Sequence, residues 1–251
     1  MPKPALLAIT PDNVDEFGIH CVADRKHPGR ALKIAWFKQE YANGLRIALL
    51  VDENGKSIGF IEYAPGEHAW RAVEAPTYLV IHCLWVKAAG SGLGSRLIAY
   101  VVAEAKSQGR DGVAVVASSG TWCTDSRIYE KTGFEIVETW GETFMLCVKP
   151  VVSGAASPTF ADCPAPPSTG RLEFRYSGQC PYVARCVDEL PAEATARGVD
   201  LEVTEIATAA EARASPTPYG VTSLALGEKV LVDHAISRTR FRNILRQEGL
   251  P

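Results

Sequence analysis

Residues 78–109, YLVIHCLWVKAAGSGLGSRLIAYVVAEAKSQG, constrain the fold more than any other stretch of the chain. They open with an apolar run from Tyr78 to Val86, interrupted only by His82 and rich in branched and aromatic side chains. Such a run predicts a strand buried on both faces. Gly90, Gly92 and Gly94 follow at alternate positions. Leu93, Leu97, Ile98, Val101, Val102 and Ala105 then repeat at helical spacing, and Gly109 stands where a C-terminal cap belongs. Strand, glycine turn and helix together make an anion-binding device. Glycines let backbone N–H groups approach a ligand closely, and the first helical turn offers unpaired donors at the positive end of its dipole. The stretch predicts a phosphate-bearing cofactor.

The rest of the chain reads outward from this core. Before it, residues 5–10 predict a short strand, 14–19 and 29–41 two helices, and 45–51 and 57–63 a hairpin about Asp52-Glu53-Asn54-Gly55. Residues 64–76 read as a loop. After it come a strand at 113–117, a short helix at 125–131 and closing strands at 134–140 and 143–148. The order is β-α-α-β-β-β-α-β-α-β-β, with the two strands flanking the long helix parallel. Residues 151–170 hold Pro158, Pro164, Pro166 and Pro167 and one charge, Asp162, and predict a semi-extended linker. A second pattern follows over 171–251: a strand at 172–176, a helix at 181–197, a strand at 199–206, a short helix at 209–213, a hairpin at 221–234 and a closing helix at 238–246. A length of 251 residues fits this two-domain division, 1–150 and 171–251.

Composition excludes several classes. A net charge of −3 without a basic stripe argues against nucleic acid. There is no 18-residue apolar run and no leader-like N-terminus, which argues against a membrane or export. Seven cysteines without regular spacing fit free thiols in a reducing cytoplasm and show no zinc-ligand pattern, so no metal is expected.

Two familiar phosphate cradles fail on specific residues. A P-loop ends Gly-Lys-Ser/Thr, but this turn ends Gly94-Ser95-Arg96. A dinucleotide fingerprint counted from Gly90 meets Ser95 where its third glycine belongs, and the next strand lacks the ribose-binding acid. What remains, Ala89-Gly90-Ser91-Gly92-Leu93-Gly94, resembles the acyl-CoA motif of the GNAT superfamily of N-acyltransferases, with Ala89 replacing the usual Arg or Gln. Tyr129-Glu130-Lys131-Thr132-Gly133-Phe134 is similar to the family's second hallmark, and the element order matches too. His82-Cys83-Leu84-Trp85, the proline segment and Gly178-Gln179-Cys180-Pro181-Tyr182 resemble the subgroup with a C-terminal YoaP-like domain.

The resemblance implies an α/β (α+β) GNAT fold with a mixed central sheet, followed by a smaller thioredoxin-like α/β domain. It implies acetyl-CoA as co-substrate and a small-molecule or peptide amine as acceptor. The cofactor site would comprise Leu84, Trp85, Val86, Ala89, Gly90, Ser91, Gly92, Leu93, Gly94 and Ser95. Lys87 or Arg96 would make up the charge missing at Ala89. Tyr129 corresponds to the tyrosine that returns a proton to the departing thiolate, and His82 and Glu62 are both candidates for the amine's base. Cys83 and Cys123 should lie near the cleft.

In the second domain, Cys180 at a helix start predicts a thiol of lowered pKa. Cys180-Pro181-Tyr182 is similar to a glutaredoxin site with Val183 in place of the second cysteine, and Pro218 resembles the proline that faces such a thiol, often through a cis peptide. Cys186, six residues on, falls about 240° around the helix from Cys180. Cys163 in the linker is the other candidate for a resolving partner, at a position the sequence does not fix. A monothiol site, a soft-metal thiolate and a degenerate fold kept for substrate contact or homodimerisation stay open. The alternative to catalysis is a thiol-based redox or metal-responsive protein whose first half binds CoA without turnover.

Overall fold

The computed structural model describes residues 4–22, 24–120, 122–166 and 170–251. The first half runs β1 (Ala5–Ile9), α1 (Val14–Phe17), α2 (Gly29–Glu40), β2 (Arg46–Val51), β3 (Ser57–Pro65), β4 (Val73–Glu74), β5 (Tyr78–Val86), α3 (Leu93–Ser107), β6 (Gly112–Ser118), α4 (Ser126–Glu130), β7 (Glu135–Trp140), β8 (Phe144–Pro150) and β9 (Thr159–Phe160). Seven of these strands form one mixed sheet ordered β1-β2-β3-β5-β6-β8-β7, in which only β5 and β6 pair in parallel. The parallel pair sits centrally because a helical crossover, α3, joins its strands.

The apolar run of β5 is covered on both faces. Leu79 and Ile81 pack with Leu97, Ile98 and Val101 of α3, while Tyr78 and Val80 pack on the opposite face with Tyr219 and Val221. On the same sheet, α2 lays Ile34 and Phe37 against Ile47, Leu49 and Phe60. The hairpin between β2 and β3 closes as its Asn-Gly pair suggests: Gly55 has φ +73 and Asp52 Oδ1 accepts from the amides of Asn54 and Lys56.

The second half runs β10 (Leu172–Tyr176), α5 (Ala184–Arg197), β11 (Leu201–Glu205), α6 (Ala209–Arg213), β12 (Thr222–Leu226), β13 (Lys229–Val232) and α7 (Arg238–Gln247), with a four-stranded sheet ordered β11-β10-β12-β13. Strands β10 and β11 are parallel and the other pairings antiparallel. α5 and α7 cover one face, with Leu190 and Phe241 at the centre of that core.

Three expectations need correction. The proline segment is not a free tether: β9 pairs antiparallel with β4, Val73 opposite Phe160, and the Phe160 amide donates to Glu138 at 2.7 Å. Pro167 of that segment lies outside the described residues. The stretch 64–76 is not all loop, since β3 continues to Pro65 and β4 follows. Finally, the cis peptide often found at such a proline is missing, since none occurs among the described residues; the Pro218 carbonyl accepts from the Ala72 amide at 3.3 Å.

The halves meet through close backbone contact. A Cβ on Gly29, the first residue of α2, would fall 1.8 Å from the Pro181 carbonyl oxygen. Only glycine admits that approach.

Candidate active site

The parallel pairing of β5 and β6 stops early. It runs from Tyr78 opposite Gly112 to Ile81 opposite Val115, after which the two strands part. β5 nevertheless stays paired with β3 as far as Val86, and β6 with β8 as far as Ser118. The result is a wedge between two intact strand pairs. His82 marks its apex. Opposite β3, Tyr63 faces Ile81 and Glu62 faces Cys83, so His82 is the extra residue of a β-bulge. Bulges re-aim side chains and bend strands, and here the bend begins where the wedge opens.

The wedge leads into a cavity of about 880 Å³, whose lining includes His82, Cys83, Leu84, Trp85, Thr124 and Tyr129. Tyr129 reaches it from α4, whose first turn is capped by the Asp125 carboxylate accepting from the Arg127 amide. The phenol is buried, 1% exposed, against Phe134 and the α3 face. Its hydroxyl bonds to Thr124, whose own hydroxyl donates to the Leu84 carbonyl at 3.2 Å. Burial pushes the phenol's pKa well above its ordinary value, so Tyr129 stays a proton donor.

Beyond Val86 the glycine loop turns into α3. Gly90 (φ +76) and Gly92 (φ +78) adopt the left-handed conformation that other residues resist. The loop residues from Lys87 to Gly92 are exposed, and Ala89 is among them. Leu93, Gly94 and Ser95 form the first turn of α3, so their amides have no intrahelical acceptor.

Below the cavity lies a buried polar hub. Lys33 of α2 and Glu62 of β3 pair at 2.5 Å with both side chains fully buried, and the Lys33 ammonium also sits 4.1 Å from the centre of the Trp36 ring. Glu62 Oε1 accepts from the Gln179 amide of the second half at 2.8 Å and faces His82 Nδ1 at 3.4 Å. His82 Nε2 accepts from the Trp70 amide at 3.0 Å, which places the ring proton on Nδ1. Burial acts to raise the Glu62 carboxyl, but Lys33 and His82 outweigh it and hold it at about 2. Burial pulls His82 down to about 4, so it is neutral. Arg71, 2% exposed, completes the hub by donating to the carbonyls of Trp70 and His82 and stacking over Tyr219.

The two residues read as bases therefore differ in place. His82 touches the cavity, but its acceptor nitrogen Nε2 is taken by the Trp70 amide and Nδ1 is buried facing Glu62 without a hydrogen bond, while Glu62 lies beneath it, ion-paired. The base reading also overlooked His20. This residue sits on the cavity wall with φ +54, its ring 4.7 Å from Trp85, and burial lowers its pKa. A non-glycine residue at positive φ is a signal that sequence does not display.

The thiols divide likewise. Cys21, Cys83 and Cys123 line the cavity, and a thiol–thiol hydrogen bond raises Cys21 and lowers Cys83. Cys123 is pushed up to about 12 by burial. Cys180 goes opposite to the expected direction, raised by burial. Cys186 donates into the second core, to the Ile236 carbonyl, and Cys163 is buried beside Asp162 and Glu138. Among the described residues no cluster of three or more His, Cys, Asp or Glu is arranged to hold a metal, and no helix is long and apolar enough to cross a membrane.

The second half also reaches the cavity. Tyr182 lines it, donates to the Cys21 carbonyl at 3.2 Å and lies 5.4 Å from Trp122.

Residues 11–134 match the acetyltransferase (GNAT) family. Over 247 residues the chain is 26% identical to the uncharacterized N-acetyltransferase YoaP of Bacillus subtilis (strain 168), covering 95% of this chain and 97% of that protein. Solved structures that resemble it include the GNAT family N-acetyltransferase YhbS from Escherichia coli in complex with CoA (16% identity, TM-score 0.44, 61% of this chain and 83% of that one). Another is the aminoglycoside 6'-N-acetyltransferase from Enterococcus faecium (14%, TM-score 0.43, 61% and 99%).

Proposed function

The chain carries an acetyltransferase (GNAT) domain, and from that premise we propose that it transfers acetyl from acetyl-CoA to a primary amine of a small molecule or peptide by direct attack. The observation that carries this reading is the wedge between β5 and β6, which opens onto a cavity holding the Tyr129–Thr124–Leu84 chain of hydrogen bonds. The glycine loop lies at one end of the wedge.

The residues present fit acetyl-CoA. The amides of Leu93, Gly94 and Ser95 point donors from a helix start, Gly90 and Gly92 have no side chain to block a pyrophosphate, and the Ser91 hydroxyl between them is turned back to donate to the Ala88 carbonyl. The stretch from Leu84 to Val86 has lost β6 as a partner, which leaves main-chain groups for a pantetheine arm. When bound, acetyl-CoA supplies an activated thioester and a thiolate leaving group. In this reading the Leu84 region polarises the carbonyl, and Tyr129, kept protonated by burial, returns a proton to the thiolate.

We assign His82 and Glu62 to holding the floor of the cleft, and His20, the neutral imidazole on the wall, to accepting the amine's proton. Residues 171–251 act as a second unit that closes the acceptor side through Tyr182. The raised pKa of Cys180 and the engagement of the Cys186 thiol with the Ile236 carbonyl lend the thiol reading no support.

The test is amine-dependent release of free thiol from acetyl-CoA, run beside calorimetric binding of acetyl-CoA. Thiol release with at least one amine of a broad panel is expected. Tight acetyl-CoA binding with no amine accelerating release would overturn the reading.

A further inference from the structure

Exposed large apolar side chains converge on one place. Phe17, Trp85, Trp122 and Tyr182 are each 42–46% exposed, and all four line the cavity. Single exposed apolar residues are ordinary on a surface, but four converging on one concave site mark a wall shaped for a ligand. The rings also come in tilted pairs, which build aromatic faces rather than merely apolar ones. His20 lies 4.7 Å from Trp85 on one side, and Trp122 lies 5.4 Å from Tyr182 on the other. Planar groups are favoured between such faces because ring pairs add attraction beyond burial alone.

The rim adds a sign. Away from the glycine loop it carries Arg25 and Arg30 against, among the described residues, the single carboxylate of Glu16, and Lys56 and Lys87 add positive charge at the loop end. Arg25 is held in place, its guanidinium donating to the Glu16 carbonyl at 3.1 Å. This rim attracts anions and repels cations, and repulsion accumulates for a molecule with several positive charges.

Resting on the acetyl-transfer reading, we infer that the acceptor is a primary amine carrying a planar ring and a carboxylate. The ring occupies the space between the two aromatic pairs and the carboxylate faces Arg25 and Arg30. Because one of the four walls is Tyr182, acceptor choice is a property of both halves of the chain. The amine attacks the thioester carbonyl, a C–N bond forms, the C–S bond breaks, and CoA leaves as the thiol after taking up one proton.

The experiment compares tryptophan, tryptamine and the polycation kanamycin as acceptors in the thiol-release assay, with the full chain and acetyl-CoA. Tryptophan should exceed tryptamine in kcat/KM by about tenfold, a magnitude expected for one partly exposed charge interaction, and kanamycin should give no turnover. An Arg25→Ala/Arg30→Ala variant should bring the tryptophan-to-tryptamine ratio towards one. Tyr182→Ala should raise KM for both ring amines and leave acetyl-CoA binding unchanged. Turnover of tryptamine or kanamycin equal to or better than that of tryptophan overturns the acceptor class while leaving acetyl transfer intact. Turnover of no amine at all overturns both.

Discussion

Removing the Glu62 carboxylate is the sharpest perturbation of the hub beneath the cavity. In Glu62→Ala the Lys33 ammonium, fully buried, keeps only the face of Trp36 at 4.1 Å. The Gln179 amide loses its 2.8 Å acceptor and His82 Nδ1 its neighbour at 3.4 Å. Stranding one member of a buried ion pair typically destabilises by about 3–5 kcal/mol. The upper end has a general limit: at pH 7 any lysine can shed its proton instead, for about 5 kcal/mol. Burying both charges in the native protein is itself costly, so replacing the pair by apolar side chains should recover most of the loss. Urea unfolding read through tryptophan fluorescence suits the measurement, since Trp36 and Trp70 stand edge-to-face at 5.3 Å beside the hub. We expect Glu62→Ala to lose about 3–5 kcal/mol and Lys33→Met/Glu62→Leu to lose less than half of that, with a coupling of at least about 2 kcal/mol in the double-mutant cycle closed by the single variants Lys33→Met and Glu62→Leu. A single-variant loss below about 1 kcal/mol, or additive singles, would refute the reasoning.

Three further outcomes follow from the same geometry. Tyr129→Phe removes the hydroxyl that bonds to Thr124 but keeps the ring packed on Phe134, so kcat should fall by about 10²-fold or more with acetyl-CoA affinity within about twofold; unchanged kcat would remove Tyr129 as the acid. His82 is held at about 4, below its ordinary 6.5, so its unfolded form binds a proton that the folded form refuses. Stability should therefore fall as pH drops from 6.5 towards 4, by about 1.4 kcal/mol per unit, and His82→Gln should flatten urea midpoints across that window; an equal slope in the variant would assign the loss to other groups. Gly29→Ala forces a Cβ to within 1.8 Å of the Pro181 oxygen, so hydrogen exchange should quicken around residues 178–183; unchanged protection there would mean that the contact is dispensable.

The parts that were legible in the sequence are those whose signal is local. The apolar run of β5 and the glycine-to-helix turn carry their own periodicity and backbone demands, and the strand, the left-handed glycines and α3 stand where the pattern puts them. The bulge at His82 was not legible, because a bulge exists only relative to a partner strand. Nor was the pairing of β9 with β4: two-residue strands have no pattern, and prolines nearby read as a tether. The burial of Lys33 and Arg71 left no local signal, because its reason lies in Glu62, in the His82 carbonyl and in the ring of Tyr219, which only the fold brings to them. Tyr182 was legible only as part of a thiol motif, and that context concealed its place on a cavity wall.

This last point bears on why the two halves share one chain. The segment from Gly178 to Tyr182 makes three kinds of contact with the first half: Gln179 bonds Glu62 inside the hub, Pro181 presses against Gly29 at the start of α2, and Tyr182 bonds the Cys21 carbonyl on the cavity wall. A sheet needing only solubility or a tether would not bury an amide in another unit's ion pair, since a buried polar group left unmatched is costly. Nor would it require glycine at the contacting helix. The same short loop thus fixes the position of the second half and delivers an aromatic ring to the site, so its geometry ties the acceptor wall to the hub that holds β3 and β5 together. Loosening the hub should then be felt at the acceptor before it is felt at acetyl-CoA. Glu62→Gln, which keeps the side-chain shape and a hydrogen-bonding oxygen, offers the means to see it: KM for the amine should rise several-fold while acetyl-CoA affinity holds. The reverse order of effects would place the coupling on the glycine-loop side instead.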